Sequence, residues 1–232
     1  SEVALAVSDR HTGIGADGLI LIAPSDSADF RMIMFNADGS EGEMCGNGIR
    51  CIGKYVYDHG LTKETEVTVE TLGGTVSLSL RVAGEKVDQV TVDMGEPRPV
   101  PDSFHVRAKG DSDLIPEKIE GFDCFVISMG NPHCIIFQEN LAEFDLEHFG
   151  PMIETYHIFP KKVNVSFVNV LSKNELQVRV WERGAGETLG CGTAACAANV
   201  ASVLNGFTER KVTVQMPGGK LDVEWNQKDN HI

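Results

Sequence analysis

No stretch of this sequence stays apolar for anything near the roughly 18 residues that a membrane-spanning helix needs, so membrane insertion is not expected. No Lys/Arg cluster interrupts a formal charge of −14. That sign repels phosphate backbones and anionic lipid heads, and nucleic acid is set aside as a partner. No low-complexity or heavily charged segment breaks the chain. No secretory leader is expected ahead of the cysteines, which are Cys45, Cys51, Cys124, Cys134, Cys191 and Cys196. Their even count invites a disulfide framework, but such frameworks belong mainly to small secreted domains with weak cores. At 232 residues this chain has enough length for one large α/β domain or two lobes, and a reducing cytoplasm is the expected setting. The chain opens Ser1-Glu2-Val3 and closes His231-Ile232 just after a strand-like run, and both ends are expected to be cut.

What the chain does contain is a repeat. Phe35, Cys45 and Gly60 stand 146 residues before Trp181, Cys191 and Gly206. The register then slips by one, so that Val67-Thr68-Val69 and Gly73-Gly74 match Val212-Thr213-Val214 and Gly218-Gly219 at 145. Each copy reads strand, turn, helix, strand, Gly-Gly turn, strand. Gly46–His59 carries Ile49, Ile52 and Val56 at helical spacing, whereas Gly192–Asn205 has no charged residue on any face and must be wrapped by other structure. Gly60 and Gly206 sit where a helix takes a left-handed stop. The expected fold class is α/β (α+β): two pseudo-symmetric lobes, each a curved, mostly antiparallel sheet around one central helix, facing each other. The prolines of Pro97, Pro99 and Pro101 mark the break. Residues 1–97 are expected to form the lobe carrying Cys45, and residues 98–232 the lobe carrying Cys191.

The repeat puts one cysteine at the start of each central helix. Free N–H groups and the positive helix end favour a thiolate there, so both thiols are expected to have lowered pKa values. The glycines of Cys45-Gly46-Asn47-Gly48 and Cys191-Gly192-Thr193 let backbone amides approach a carboxylate. Two such sulfurs on opposite sides of one carbon suit stereoinversion, one thiolate removing a proton while the other thiol delivers one. Amides of both helices would take up the charge as an oxyanion hole does, with no metal and no cofactor. Neither cysteine motif carries a Lys for a Schiff base. Gly13-Ile14-Gly15-Ala16-Asp17-Gly18 has dinucleotide-fingerprint spacing, but a strand rather than a helix is expected after it.

Taken singly, most of these residues read more plainly. Cys51, Cys124, Cys134 and Cys196 suit small core positions. His133 suits a hydrogen-bonded structural histidine, Asn36, Asn131 and Asn164 suit turns or caps, and Glu182-Arg183 suits a surface ion pair. A zinc module built from Cys45, Cys51, Cys191, Cys196 and His133 is the non-enzyme alternative, though the intervals within each cysteine pair are not those of a zinc knuckle.

Taken together, Phe35 to Cys51, Gly130-Asn131-Pro132-His133, Trp181 to Thr188 and Cys191-Gly192-Thr193 resemble the signatures of the diaminopimelate epimerase family, in order and spacing across nearly the whole chain. The resemblance implies interconversion of LL- and meso-diaminopimelate for lysine and cell-wall precursors, by a cytoplasmic homodimer without cofactor. It implies that Cys45 and Cys191 are the acid/base pair, with His133 and Glu182 tuning them. It implies substrate contacts from Asn36, Gly46, Asn47, Asn131, Asn164, Glu182, Arg183, Gly192 and Thr193. It also implies a first and a last strand that do not appear in this sequence. Gly18 stands where many relatives have Gln, and Ala194 where Gly is commoner. Proline and hydroxyproline racemases share the fold and the cysteine pair, but resemble Cys-Gly-His where this chain has Cys45-Gly46-Asn47.

Overall fold

The computed structural model describes residues 1–42, 44–98, 108–109, 113–114 and 117–232. Glu43 of the first signature and Pro99–Pro101 of the proline-rich break lie outside the described residues. The described chain forms two compact units, Ser1–Asp93 and Met94–Ile232. The division comes four residues before the one expected after Pro97, for a local reason. Met94 N–H donates to Ile232 O at 2.7 Å, Ile232 N–H to Gly95 O at 3.0 Å, and Arg98 N–H to Ser128 O at 2.8 Å. Residues 94–98 are thereby tied to the second unit.

In the first unit, α1 (Glu2–Ser8) leads to β1 (Gly18–Ala23), β2 (Phe30–Asn36) and the short β3 (Glu41–Gly42). Then follow α2 (Gly46–Asp58), β4 (Glu66–Thr71), β5 (Gly74–Ala83) and β6 (Lys86–Val92). The sheet runs β1-β2-β4-β5-β6, with β3 on β2. In the second unit, β7 (Ala108–Lys109) and β8 (Asp113–Leu114) pair with each other. Next come β9 (Glu117–Ile119), β10 (Phe122–Ser128), β11 (Pro132–Phe137), α3 (Leu146–Glu154), β12 (Asn164–Ser172) and β13 (Glu175–Glu182). The chain continues through β14 (Gly186–Thr188), α4 (Gly192–Leu204), β15 (Lys211–Met216) and β16 (Gly219–Glu224). This sheet runs β16-β15-β13-β12-β11-β10-β9, with β14 on β13.

The repeat holds pair by pair. Phe35 opposes Glu41 as Trp181 opposes Glu187, and Val67 opposes Leu78 as Val212 opposes Val223. Strand β2 runs parallel to β4, with Phe30 beside Val69, as β13 runs parallel to β15, with Leu176 beside Val214. The structure also extends the repeat backwards. Ile20 opposes Met34 as Ser166 opposes Val180, so β1 matches β12. Helix α1 then falls on α3, with Ser8 at the position of Glu154.

Both central helices stop alike. Gly60 (φ 71°) and Gly206 (φ 69°) take the left-handed conformation, and Leu61 and Phe207 N–H donate back to Val56 and Ser202 O. That is the bond pattern that satisfies the last carbonyls of a helix. The uncharged α4 is enclosed as expected: every residue from Thr193 to Ser202 is buried. Its alanines and Val200 pack on Phe125, Ile135, Val178, Val180 and Val214, and α3 covers the opposite face of the sheet through Leu146 and Ile153. A charge placed at Ala197, which is fully buried, would have no partner and would break this packing.

Helix α2 is covered on one face only, through Ile49, Ile52 and Val56. Cys51 and Tyr55 are exposed, whereas their repeat equivalents Ala197 and Ala201 are fully buried. The physical difference is that β10 and β11 pack on α4. Over α2 the same side is a groove of about 870 Å³ lined by Ile20, Ile22, Cys51, Ile52 and Tyr55.

Candidate functional site

Cys45 and Cys191 are the N-cap residues of α2 and α4, with nearly identical backbone angles (φ −128°, ψ 112° and φ −133°, ψ 118°). An extended residue there turns its side chain back over the first helical amides. Gly48 N–H donates to Cys45 Sγ at 3.3 Å. The same turn is stiffened by Arg50, which donates to Gly46 O at 2.9 Å and to Asn47 Oδ1 at 2.5 Å. Ahead of it, Asn36 closes the turn after β2, its amide donating to Ser40 Oγ at 3.0 Å and its N–H to Ser40 O at 2.8 Å. Position 18 cannot take a side chain on this backbone, because a Cβ there would stand 2.4 Å from Phe35 O.

The second unit builds more around its sulfur. Cys191 is 8% exposed. Thr193 Oγ1 lies 3.4 Å from Cys191 Sγ and accepts from the Asn131 side-chain amide at 3.3 Å. Toward a thiolate at Cys191 the Thr193 hydroxyl is the donor, since the sulfur then has no proton to give. With its amide on Thr193, Asn131 turns its own oxygen to His133 Nε2, 3.0 Å away, and the ring carries its proton on Nε2. Three donors so point one way, from His133 through Asn131 and Thr193 to Cys191. His133 is fully buried and its pKa is lowered to about 3, by burial and then by the nearby Arg183 charge, so the ring is neutral.

The expected depression of the cysteine pKa is overturned at Cys191, whose thiol is pushed up to about 12. Burial is the main cause and the Glu182 carboxylate the second, together outweighing the Thr193 hydroxyl and the Ala194 amide. Helix-start amides favour a thiolate, but they act here inside an apolar shell with an anion beside the sulfur.

Asn164, Glu182 and Arg183 also lie in this unit. Asn164, buried at the start of β12, receives Arg183 N–H on Oδ1 at 2.9 Å and donates to Pro132 O at 3.0 Å. Much of its side chain is therefore spent on holding two strands. Glu182 Oε1 accepts from Thr188 Oγ1. Arg183 is exposed, with one long bond from Nη1 to Lys161 O at 3.4 Å. Thr188 closes the Trp181 to Thr188 signature without a role of its own there, and sequence reasoning missed Glu154, which holds this turn from α3. The repeat puts Gly42 and Ser8 in their places. Among the described residues, no cluster of three or more His, Cys, Asp or Glu side chains is arranged to hold a metal ion.

The sequence profile of diaminopimelate epimerase matches residues 1–100 and 125–232. The chain belongs to the diaminopimelate epimerase family. The diaminopimelate epimerase of Acetivibrio thermocellus is 53% identical over 237 residues, covering all of this chain and 84% of that protein. That of Methanococcus maripaludis is 52% identical over 236 residues, covering all of this chain and 85% of its own. Family members are isomerases that act as amino-acid epimerases. Among solved structures, a hydroxyproline epimerase from Agrobacterium vitis superposes with a TM-score of 0.70 at 16% identity, covering 96% of this chain and 70% of its own. A predicted epimerase from Pseudomonas aeruginosa does so with 0.63 at 19% identity, covering 93% and 79%. At those identities the likeness concerns the fold, two curled sheets with few helices. No helix among the described residues is long and apolar enough to cross a membrane.

Proposed function

We propose that this chain interconverts LL- and meso-diaminopimelate by moving the proton of one Cα between Cys45 and Cys191. Membership of the family supports the substrate. The observation that carries the mechanism is that both cysteines cap the central helix of their repeat with the same backbone angles.

The starting protonation follows from the electrostatics of the second unit. With its pKa near 12, Cys191 holds its proton at neutral pH and acts as the acid. Cys45, whose sulfur accepts the Gly48 N–H, acts as the base in that direction. Cys45 Sγ takes the α-proton, the electron pair stays on the Cα–carboxylate unit, and Cys191 S–H returns a proton to the opposite face. The two sulfurs have then exchanged protonation states. In the reverse reaction the Cys191 thiolate is a strong base because its pKa is high. The hydroxyl of Thr193, oriented through Asn131 by His133, stabilises that thiolate, while Glu182 opposes it. This is how His133 and Glu182 tune the thiol.

The amides of Gly46, Asn47, Gly192 and Thr193 take up charge developing on the reacting carboxylate. Asn36, Asn131, Asn164 and Glu182 bind the substrate's polar groups, and the exposed Arg183 its distal carboxylate. No pyridoxal phosphate is needed on this reading, which also carries a cytoplasmic homodimer serving lysine and peptidoglycan precursor synthesis. On this reading each unit, Ser1–Asp93 and Met94–Ile232, supplies one cysteine. The test is incubation with LL-diaminopimelate in deuterated water. Deuterium should enter Cα as the meso isomer forms, and neither should occur if the reading is wrong.

A further inference from the structure

We propose that Glu154, which lies outside the reacting groups, is a positioning residue that fixes the path of the backbone at Glu182-Arg183 and so aims Arg183 at the substrate. The inference rests on the diaminopimelate reading for its substrate, and on the following geometry for the rest.

Glu154 is the last residue of α3 and is 5% exposed. Its Oε2 accepts Trp181 Nε1–H at 2.8 Å, and its Oε1 accepts Gly184 N–H at 3.0 Å and Lys162 Nζ at 3.1 Å. Trp181 and Gly184 flank Glu182-Arg183, so one carboxylate holds the chain on both sides of that pair. A buried carboxylate is costly unless its oxygens are filled, and here three donors fill them. Burial pulls its pKa up, but the Trp181, Lys162 and Gly184 donors outweigh that and keep it below the usual carboxylate range, so the group is charged. The Trp181 ring is gripped as well. It lies flat on α3 at Gly150, where a Cβ would stand 2.6 Å from Cδ2.

The repeat supplies an internal control. The equivalent of Glu154 is Ser8, and Phe35 and Asp38 stand where Trp181 and Gly184 do. Ser8 Oγ is buried without a hydrogen-bond partner, yet the same strand–turn–strand forms after β2. The first turn is held instead by its own Asp38, whose Oδ1 accepts Ser40 N–H at 2.9 Å, so a turn of this kind forms without a carboxylate reaching it from the preceding helix. The copy that has one is the copy that presents Glu182-Arg183 rather than Asn36-Ala37.

The test compares wild type, Glu154→Gln, Arg183→Ala and the double variant, reading kcat and KM for LL-diaminopimelate together with amide and indole N–H resonances. Gln keeps the size but turns an amide N–H toward one of the donors. KM should rise about tenfold with kcat changed less than about threefold, because a distal binding group is displaced and the thiols are not. The double variant should be no worse than Arg183→Ala alone, as expected when one residue acts through the other. The Trp181 indole and Gly184 amide resonances should move while the Trp225 indole stays. If Glu154→Gln does not fold, Trp181→Phe, which removes the indole donor and leaves a smaller aromatic ring, should raise KM in the same direction by about threefold. Unchanged KM with unmoved Gly184, or losses that add in the double variant, would overturn the proposal. A wild-type protein inactive on diaminopimelate would instead overturn the functional reading, and the resonances would still decide whether Glu154 holds the turn.

Discussion

Glu182 stands beside Cys191, and its charge adds to burial in keeping the proton on that sulfur. Removing the charge while keeping the shape separates the two causes. In Glu182→Gln the thiolate loses a repulsive neighbour, so the Cys191 pKa should fall below about 12, the value it has in the wild type. Ultraviolet thiolate absorbance, with Cys191→Ser as the blank, should show ionisation at lower pH. An unchanged titration would mean that burial alone sets the value. Turnover should fall, because an acid–base pair tuned for exchange would start with the wrong proton distribution.

His133 makes a prediction about stability. Its pKa is depressed from 6.5 to about 3 in the folded protein, so the unfolded chain binds a proton that the folded chain refuses. A depressed folded pKa gives stability that is present above the unfolded value and lost as pH falls through the folded one. The wild type should therefore weaken progressively from pH 6.5 towards 3. His133→Gln has no such proton to bind. Its urea midpoint should be lower than that of the wild type at neutral pH, yet fall less on acidification. Parallel pH profiles for the two proteins would refute the neutral buried ring.

The paired cysteines are the simplest part to test. Cys45→Ala and Cys191→Ala should each lower epimerisation by about a thousandfold or more, since no other acid or base is assigned to the vacated face. Circular dichroism should be unchanged for Cys45→Ala, whose side chain is only half-buried. A chelator should leave the wild type untouched. Loss of activity on chelation, restored by zinc, would return the zinc-module alternative.

The positions of those cysteines were legible because a duplication marks equivalent points, and a glycine-rich turn before a helical pattern marks an N-terminus. The enclosure of α4 was legible in its lack of charge. The direction of the Cys191 pKa was not. A helix start announces its amides, whereas the burial of the sulfur and the carboxylate beside it depend on how β13 and β14 pack. Glu154 was illegible for a related reason. An acidic residue at a helix end has no periodic signature, and its partners Trp181 and Gly184 lie 27 and 30 residues further on. The open face of α2 was hidden too, since Ile49, Ile52 and Val56 show where one covered face lies but not whether strands cover the other.

On the proposed reading, the choice of amino acid turns on Arg183. Its guanidinium is exposed and, among the described residues, makes one long bond to Lys161 O, while Asn164 holds its backbone N–H. Diaminopimelate carries a second carboxylate several bonds from the reacting carbon, and a planar fork of donors suits it; proline has nothing to place there. Arg183→Ala should therefore cut kcat/KM for LL-diaminopimelate by about a hundredfold or more, and Arg183→Lys by less, because Lys keeps the charge but not the bidentate geometry. The loss should lie mainly in KM if the contact is made equally before and during proton transfer. Lysine, which lacks the second carboxylate, should be a very poor substrate for the wild type, since a site built to bond a group rejects analogues without it. Racemisation of proline with no action on LL-diaminopimelate would overturn the substrate assignment and leave the two-cysteine chemistry standing, as both families of substrate present an acidic Cα–H beside a carboxylate.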